Sequence, residues 1–98
     1  MVKIRWTSES EKWLKDIHDY IAQDKPQAAR NVVSGIYKKV QILCEFPKIG
    51  YMHRSEPEGD VRILLYGHYR IAYLIRSNEE IDILGVFHGA LDIDRYLF

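Results

Sequence analysis

The sequence predicts an α+β domain of order β-α-α-β-β-β, an N-terminal helical hairpin packed on one face of a small, mainly antiparallel sheet. Three observations predict it. Apolar residues recur at helical spacing in two successive segments of the first half. Three strand-like runs with short breaks fill the second half. Helical and strand patterns are segregated rather than alternating, which argues against a parallel βαβ sheet.

Residues 2–6 alternate, with Val2, Ile4 and Trp6 on one side and Lys3 and Arg5 on the other, the period of a half-buried strand. Thr7 and Ser8 offer helix caps, and Ser8 with Glu11 has capping-box spacing. Trp13, Leu14, Ile17, Tyr20 and Ile21 then make an apolar stripe on a helix over about 9–23. Asp24, Pro26 and Gln27 mark a second helix start. Its stripe is Ala29, Val32, Val33, Ile36, Val40 and Leu43, and it runs to about residue 45, where Pro47 disfavours continuation. Residues 47–59, with two prolines and two glycines, read as a loop. Strands follow at 60–65, 68–76 and 80–88, joined by breaks short enough for hairpins. The tail 89–98 reads as a short terminal turn or helix.

The chain has 98 residues, enough for one domain, 1–98. Lys plus Arg equals Asp plus Glu at 14 each, so bulk positive charge does not bind nucleic acid here. No apolar run approaches the ~20 residues of a membrane helix. The N-terminus turns charged too soon for a signal peptide, and the single cysteine, Cys44, suits a reducing cytoplasm. His18, His53, His68 and His88 lack the close spacing of a metal site.

Strand parity assigns Val61, Ile63, Leu65, Ile71, Tyr73, Ile75, Ile81, Ile83 and Phe87 to the helix-facing side. The opposite side then carries Arg62, Leu64, Arg70, Ala72, Leu74, Arg76, Asp82, Leu84, Val86 and His88. A water-facing sheet surface is ordinarily polar, so this half-apolar, arginine-edged one predicts a groove for an acidic, partly apolar peptide segment or for nucleic acid. The alternative is that Leu91, Ile93 and Leu97 of the tail fold back over it. Arg62 and Arg70 also have a structural reading, as partners of Asp82 or Glu80 across the strands. Cys44, Trp6 and Trp13 read as packing residues.

The segments WLKDIHDYIAQDKPQAA, ILCEFPKIGY, VRILLYGHYRIAYLI and ILGVFHGALDIDRYL together resemble the RelE/ParE superfamily of bacterial type II toxins, most closely its ParE-like (plasmid stabilization) branch. The resemblance spans nearly the whole chain. It implies the same fold and a cognate antitoxin whose C-terminal segment wraps and neutralises the toxin. On this reading the antitoxin-binding residues are Arg62, Leu64, Arg70, Leu74, Arg76, Leu84 and Val86. Operator DNA would be met only through the antitoxin, with no cofactor, metal, membrane or small-molecule substrate. The family holds two activities, gyrase poisoning in ParE-like members and metal-independent cleavage of ribosome-bound mRNA in RelE-like ones.

RNA cleavage needs a base, an acid and a cation to stabilise the phosphorane-like charge. Arg62 and Arg70 are candidate phosphate clamps, His88 a candidate acid, and Glu45 or Glu56 a candidate base. Against this stand the zero net charge and a terminal decapeptide whose one Lys or Arg is Arg95. The expectation is therefore a non-enzymatic inhibitor of DNA gyrase. The alternatives are a ribosome-dependent endoribonuclease and a non-toxic relative that binds its antitoxin and co-represses their operon.

Overall fold

A computed structural model describes residues 2–76, 78–89 and 91–97. Strand β1 (Lys3–Trp6) leads into helices α1 (Ser8–Ala22) and α2 (Pro26–Gln41), the latter extended by a 3-10 turn at Ile42–Cys44. Strands β2 (Tyr51–Glu56), β3 (Gly59–Tyr66), β4 (Tyr69–Arg76) and β5 (Glu80–His88) follow, then a 3-10 turn at Ile93–Arg95. The sheet order is β1-β5-β4-β3-β2, antiparallel except for the parallel β1–β5 pair. The helices pack on one face of this sheet, as the sequence predicts.

The N-terminus of α1 is capped by Thr7, whose hydroxyl accepts from the Ser10 amide at 3.1 Å and donates to the Ile83 carbonyl at 2.6 Å. One threonine thus ends β1, starts α1 and ties both to β5; Ser8 is already the first helical residue. Lys25, not Asp24, occupies the cap position of α2, with no side-chain cap and with Pro26 in the first turn.

The sequence-predicted loop 47–59 contains a strand. Pro47 and Gly50 precede β2, while the turn at 57–58 and Gly59 follow it. As an edge strand with most side chains exposed or half-exposed, β2 shows none of the alternation that marks a covered strand. Gly59 has φ +146°, and a Cβ there would lie 1.9 Å from the Ile75 carbonyl oxygen.

Two corrections to the face assignment come from register. The β3–β4 hairpin closes with Tyr66 opposite Tyr69, which sets Leu64 opposite Ile71, Arg62 opposite Tyr73, Ile63 opposite Ala72 and Val61 opposite Leu74. The whole parity of β3 is therefore the reverse of the predicted one: Leu64 faces the helices, and Val61 and Ile63 face away from them. In β5 a bulge shifts the pairing between Ile83 and Gly85, so Ile81, Ile83 and Val86 face the helices while Phe87 faces away. Gly85 makes room for it, since a Cβ there would meet the Phe87 ring at 2.4 Å.

Two apolar clusters result. The larger lies between helices and sheet: Leu14, Ile36, Val40, Leu43, Leu64, Ile71, Tyr73, Ile81, Ile83 and Val86, with Ile4 and Trp6 packed against it. The smaller lies on the opposite face: Val61, Ile63, Ala72, Leu74 and Phe87, covered by Ile93 and Leu97. Trp13 of α1 packs against this smaller cluster, 4.8 Å from Phe87 and 5.1 Å from Tyr96 between ring centroids.

Candidate functional site, an arginine-rimmed sheet face under a C-terminal strap

Of the three arginines expected on the face away from the helices, Arg70 and Arg76 lie there and Arg62 does not, and the expectation of an uncovered apolar groove is corrected. Leu74 is 2% exposed, and Ile93 and Leu97, which lie over it, are 2% and 4% exposed. The alternative reading of the tail holds: Ile93 and Leu97 close this face, with Leu91 and Leu84 packed at its margin. Burying aliphatic side chains at ~1.5–3 kcal/mol each is what a chain this small gains by using its own terminus.

Polar contacts hold the strap. The Asp94 carboxylate accepts from His53 Nε2 at 2.7 Å and from Arg54 Nη1 at 3.3 Å, tying the last 3-10 turn to β2. The His53 hydrogen bond, with the Arg54 charge behind it, holds the Asp94 carboxyl below its ordinary range. Arg70 Nη2 donates to the Leu91 carbonyl, and the Gly89 amide donates to His68 O at 2.8 Å.

Beyond the strap lies an ionic cluster. The Asp82 carboxylate accepts from Arg5 Nε at 3.1 Å, Arg5 Nη2 at 3.0 Å and Arg76 Nε at 2.7 Å. Its side chain is only 2% exposed, whereas those of Arg5 and Arg76 are 64% and 37% exposed. Burial alone pushes the Asp82 carboxyl upward; the two guanidinium groups more than offset this and hold it below the usual carboxylate range. Two arginines converge on this one aspartate, with the Glu80 carboxylate also near Arg5. Asp82 therefore pairs with Arg5 and Arg76, not with Arg62 or Arg70.

Arg62 lies on the helix-facing side. Its Nη1 donates to the carbonyls of Lys48 at 3.2 Å and Gly50 at 2.7 Å, while neighbouring Tyr73 donates to the Pro47 carbonyl at 2.7 Å and accepts from the Gly50 amide at 3.0 Å. These bonds anchor the segment 47–50 that leads from the helices into β2. Burial raises the Tyr73 hydroxyl pKa, opposed by the Gly50 hydrogen bond and the Arg62 charge. His88 is exposed at the end of β5, edge-on to Tyr69 at 6.0 Å.

The ribonuclease candidates are consequently dispersed. Arg70 is opposite Phe87 on the strap side, whereas Arg62 and His88 belong to the helix side. Arg62 is two strands and four pairing positions from His88, roughly 16 Å along the backbone at ~3.3 Å per residue and ~4.8 Å per strand. Glu56 pairs with Arg54, and Glu45 lines a separate hollow with Cys44, Pro47, Arg76 and Glu79. Among the antitoxin candidates, Arg70, Leu74, Arg76 and Leu84 share the strap face; Leu64 and Val86 are buried under the helices, and half-buried Arg62 lies on that same side. Among the described residues no cluster of three His, Cys, Asp or Glu is placed to hold a metal ion, and no helix is long and apolar enough to cross a membrane.

Sequence reasoning missed Arg5, His53, Arg54 and Asp94. Arg5 was readable, because the alternation of residues 2–6 already sets it opposite Ile4 and Trp6. The other three depend on β2 and the tail meeting in space.

Comparisons with known proteins agree with this architecture. The ParDE toxin–antitoxin system of P. aeruginosa superimposes with a TM-score of 0.74 at 25% identity, over 90% of this chain and 96% of that one. The RelBE2 toxin–antitoxin complex of Mycobacterium tuberculosis has the same fold, with a TM-score of 0.58 at 24% identity over 88% of this chain and 95% of that one. A helical hairpin on one face of a five-stranded sheet is thus a fold shared with toxin–antitoxin proteins of the RelE/ParE superfamily. The family model for the ParE toxin of type II toxin–antitoxin systems (parDE) matches residues 4–93, and the chain belongs to that family. The Sinorhizobium fredii protein named "Putative toxin Y4kP" is 35% identical over 87 residues, 89% of this chain and 88% of that protein.

Proposed function

We propose that this toxin acts in the cytoplasm as a ParE-like, non-enzymatic inhibitor of DNA gyrase, and that a cognate antitoxin neutralises it at the arginine-rimmed face. The observation that carries the choice of target is the dispersal of Arg62, Arg70 and His88 over two faces and roughly 16 Å. Cleavage of RNA requires base, acid and phosphate clamp within hydrogen-bond reach of one phosphodiester. The match to the ParE family over residues 4–93 and the balanced charge support the same reading.

The antitoxin reading rests on charge and on partial exposure. Arg70 and Arg76 flank the strap face, and half-buried Leu84 lies beside Leu97 at its margin. An acidic, partly apolar antitoxin segment fits the strip from Arg76 past Leu84, and reaches Leu74 where Ile93 and Leu97 give way. Arg62, Leu64 and Val86 act from beneath, by fixing the sheet and the 47–50 segment. Operator DNA is reached through the antitoxin.

The test pairs two assays on the purified toxin. In a gyrase supercoiling assay the toxin traps cleaved DNA, and the antitoxin reverses it. In primer extension on translated mRNA no new 5′ ends form. New 5′ ends without an effect on gyrase would establish the ribonuclease reading. Inactivity in both, with operon repression retained, would establish a co-repressor.

A further inference from the structure

The sheet has two open edges, and the sequence treats them differently. At β1 the edge is four residues long and carries exposed Lys3 and Arg5, charges that discourage another strand from pairing there. The second half of β2 is blunted as well. A register shift falls between Met52 and Arg54, His53 and Arg54 are drawn to Asp94, and Arg54 also pairs with Glu56. The first half has no such protection. Phe46, Ile49, Tyr51, Met52 and Leu65 are 45–58% exposed, five of the eight large apolar side chains left in water among the described residues. Tyr51 and Leu65 belong to the strap side of the sheet and Met52 to the helix side, while Phe46 and Ile49 stand at the entrance of the strand. The apolar surface therefore wraps the open edge. Lys48 is the one charged residue in 46–52. The arginines opposite Met52 and Leu65, Arg62 and Arg70, donate to backbone carbonyls of this chain.

Composition and extent together select the occupant. With one charge on it, the edge gives a charged partner nothing to read. It fits an apolar strand running antiparallel, and the same first half of β2 in a second copy is such a strand, its backbone donors and acceptors complementing their own under a two-fold axis. At about 200 Å² per large apolar residue, the five leave about 500 Å² in water, toward the upper end for the largest patch on a monomer. Two copies would bury roughly 1,000 Å² in total, above the roughly 800 Å² of ordinary crystal contacts and short of the roughly 1,200 Å² where stable complexes begin. That is the size of a weak, reversible dimer. We propose that the chain self-associates through the first half of β2, the two strands antiparallel about a two-fold axis near Tyr51, so that the two sheets become one. The proposal does not depend on the antitoxin assignment.

The test is sedimentation equilibrium of the full chain between about 5 and 500 μM, where an interface of this size should convert monomer to dimer. Tyr51→Asp sets two carboxylates against each other across the axis and should weaken association at least tenfold, as should Tyr51→Lys. An equimolar mixture of the two variants pairs opposite charges and should dimerise again, which a merely misfolded variant could not do. Tyr51 is half-exposed, so both variants should keep the parent's circular dichroism. Tyr20→Asp, a like change on an exposed tyrosine of α1, should associate as the parent does. A chain that stays monomeric to about 500 μM, a dimer that survives Tyr51→Asp, or a mixture of the two variants that stays monomeric would each overturn the proposal.

Discussion

Replacing Asp82 by asparagine tests the ionic cluster that rims the strap face. The carboxylate accepts three hydrogen bonds from Arg5 and Arg76. Exchanging a charge-assisted bond for a neutral one loses ~1 kcal/mol, so three bonds give ~3 kcal/mol. Two effects reduce this. A buried amide is less costly to desolvate than a buried carboxylate, and both arginines are exposed enough to rehydrate. A net loss of about 1–2 kcal/mol remains, a fall in Tm of roughly 4–16 °C for a domain near this size. The folded-state carboxyl pKa is depressed, so its contribution is complete above the unfolded value of ~3.9 and disappears as pH falls through the folded value. Thermal melts followed by circular dichroism should therefore show the Asp82→Asn deficit at pH 7 and its narrowing below about pH 4. A variant as stable as the parent at pH 7, or a deficit that persists unchanged at low pH, would refute the assignment of net stabilisation to this cluster.

Further outcomes follow from the same geometry. Asp94→Asn should loosen the strap, raising amide exchange several-fold over residues 91–97 while β3 and β4 stay protected; unchanged exchange would show that Ile93 and Leu97 alone hold it. Gly85→Ala sets a methyl group against the Phe87 ring and should destabilise the fold by about 2–3 kcal/mol in denaturant titration. Leu84→Glu should lower antitoxin affinity at least tenfold by calorimetry with the free toxin still folded, whereas Leu74→Glu buries a charge and should fail to fold.

Much of the fold is legible in the residues. The stripes of both helices, strand β1 and the three long strands follow from periodicities of 3.6 and 2, whereas the parallel pairing of β1 with β5 does not. Strand β2 is not, because an exposed edge strand need not alternate. The reversed face of β3 was nonetheless recoverable: with Tyr66 opposite Tyr69, paired residue numbers sum to 135, so Val61 cannot share a face with Ile71 and Ile75. The bulge before Gly85 is harder, since nothing local distinguishes it from a continuing strand until Phe87 needs the space. Arg70 and Arg76 on the reverse face were readable; that the tail covers it depends on where the chain turns after His88, which parity does not encode. The separation of Arg62 from His88 likewise needed the register, not the spacing.

The decisive measurement is the gyrase supercoiling assay with purified toxin, DNA gyrase and plasmid. Accumulation of protein-linked, cleaved plasmid that the antitoxin suppresses is the outcome this account predicts. Undiminished supercoiling at toxin concentrations that halt growth, accompanied by fresh 5′ ends in translated mRNA, would contradict it.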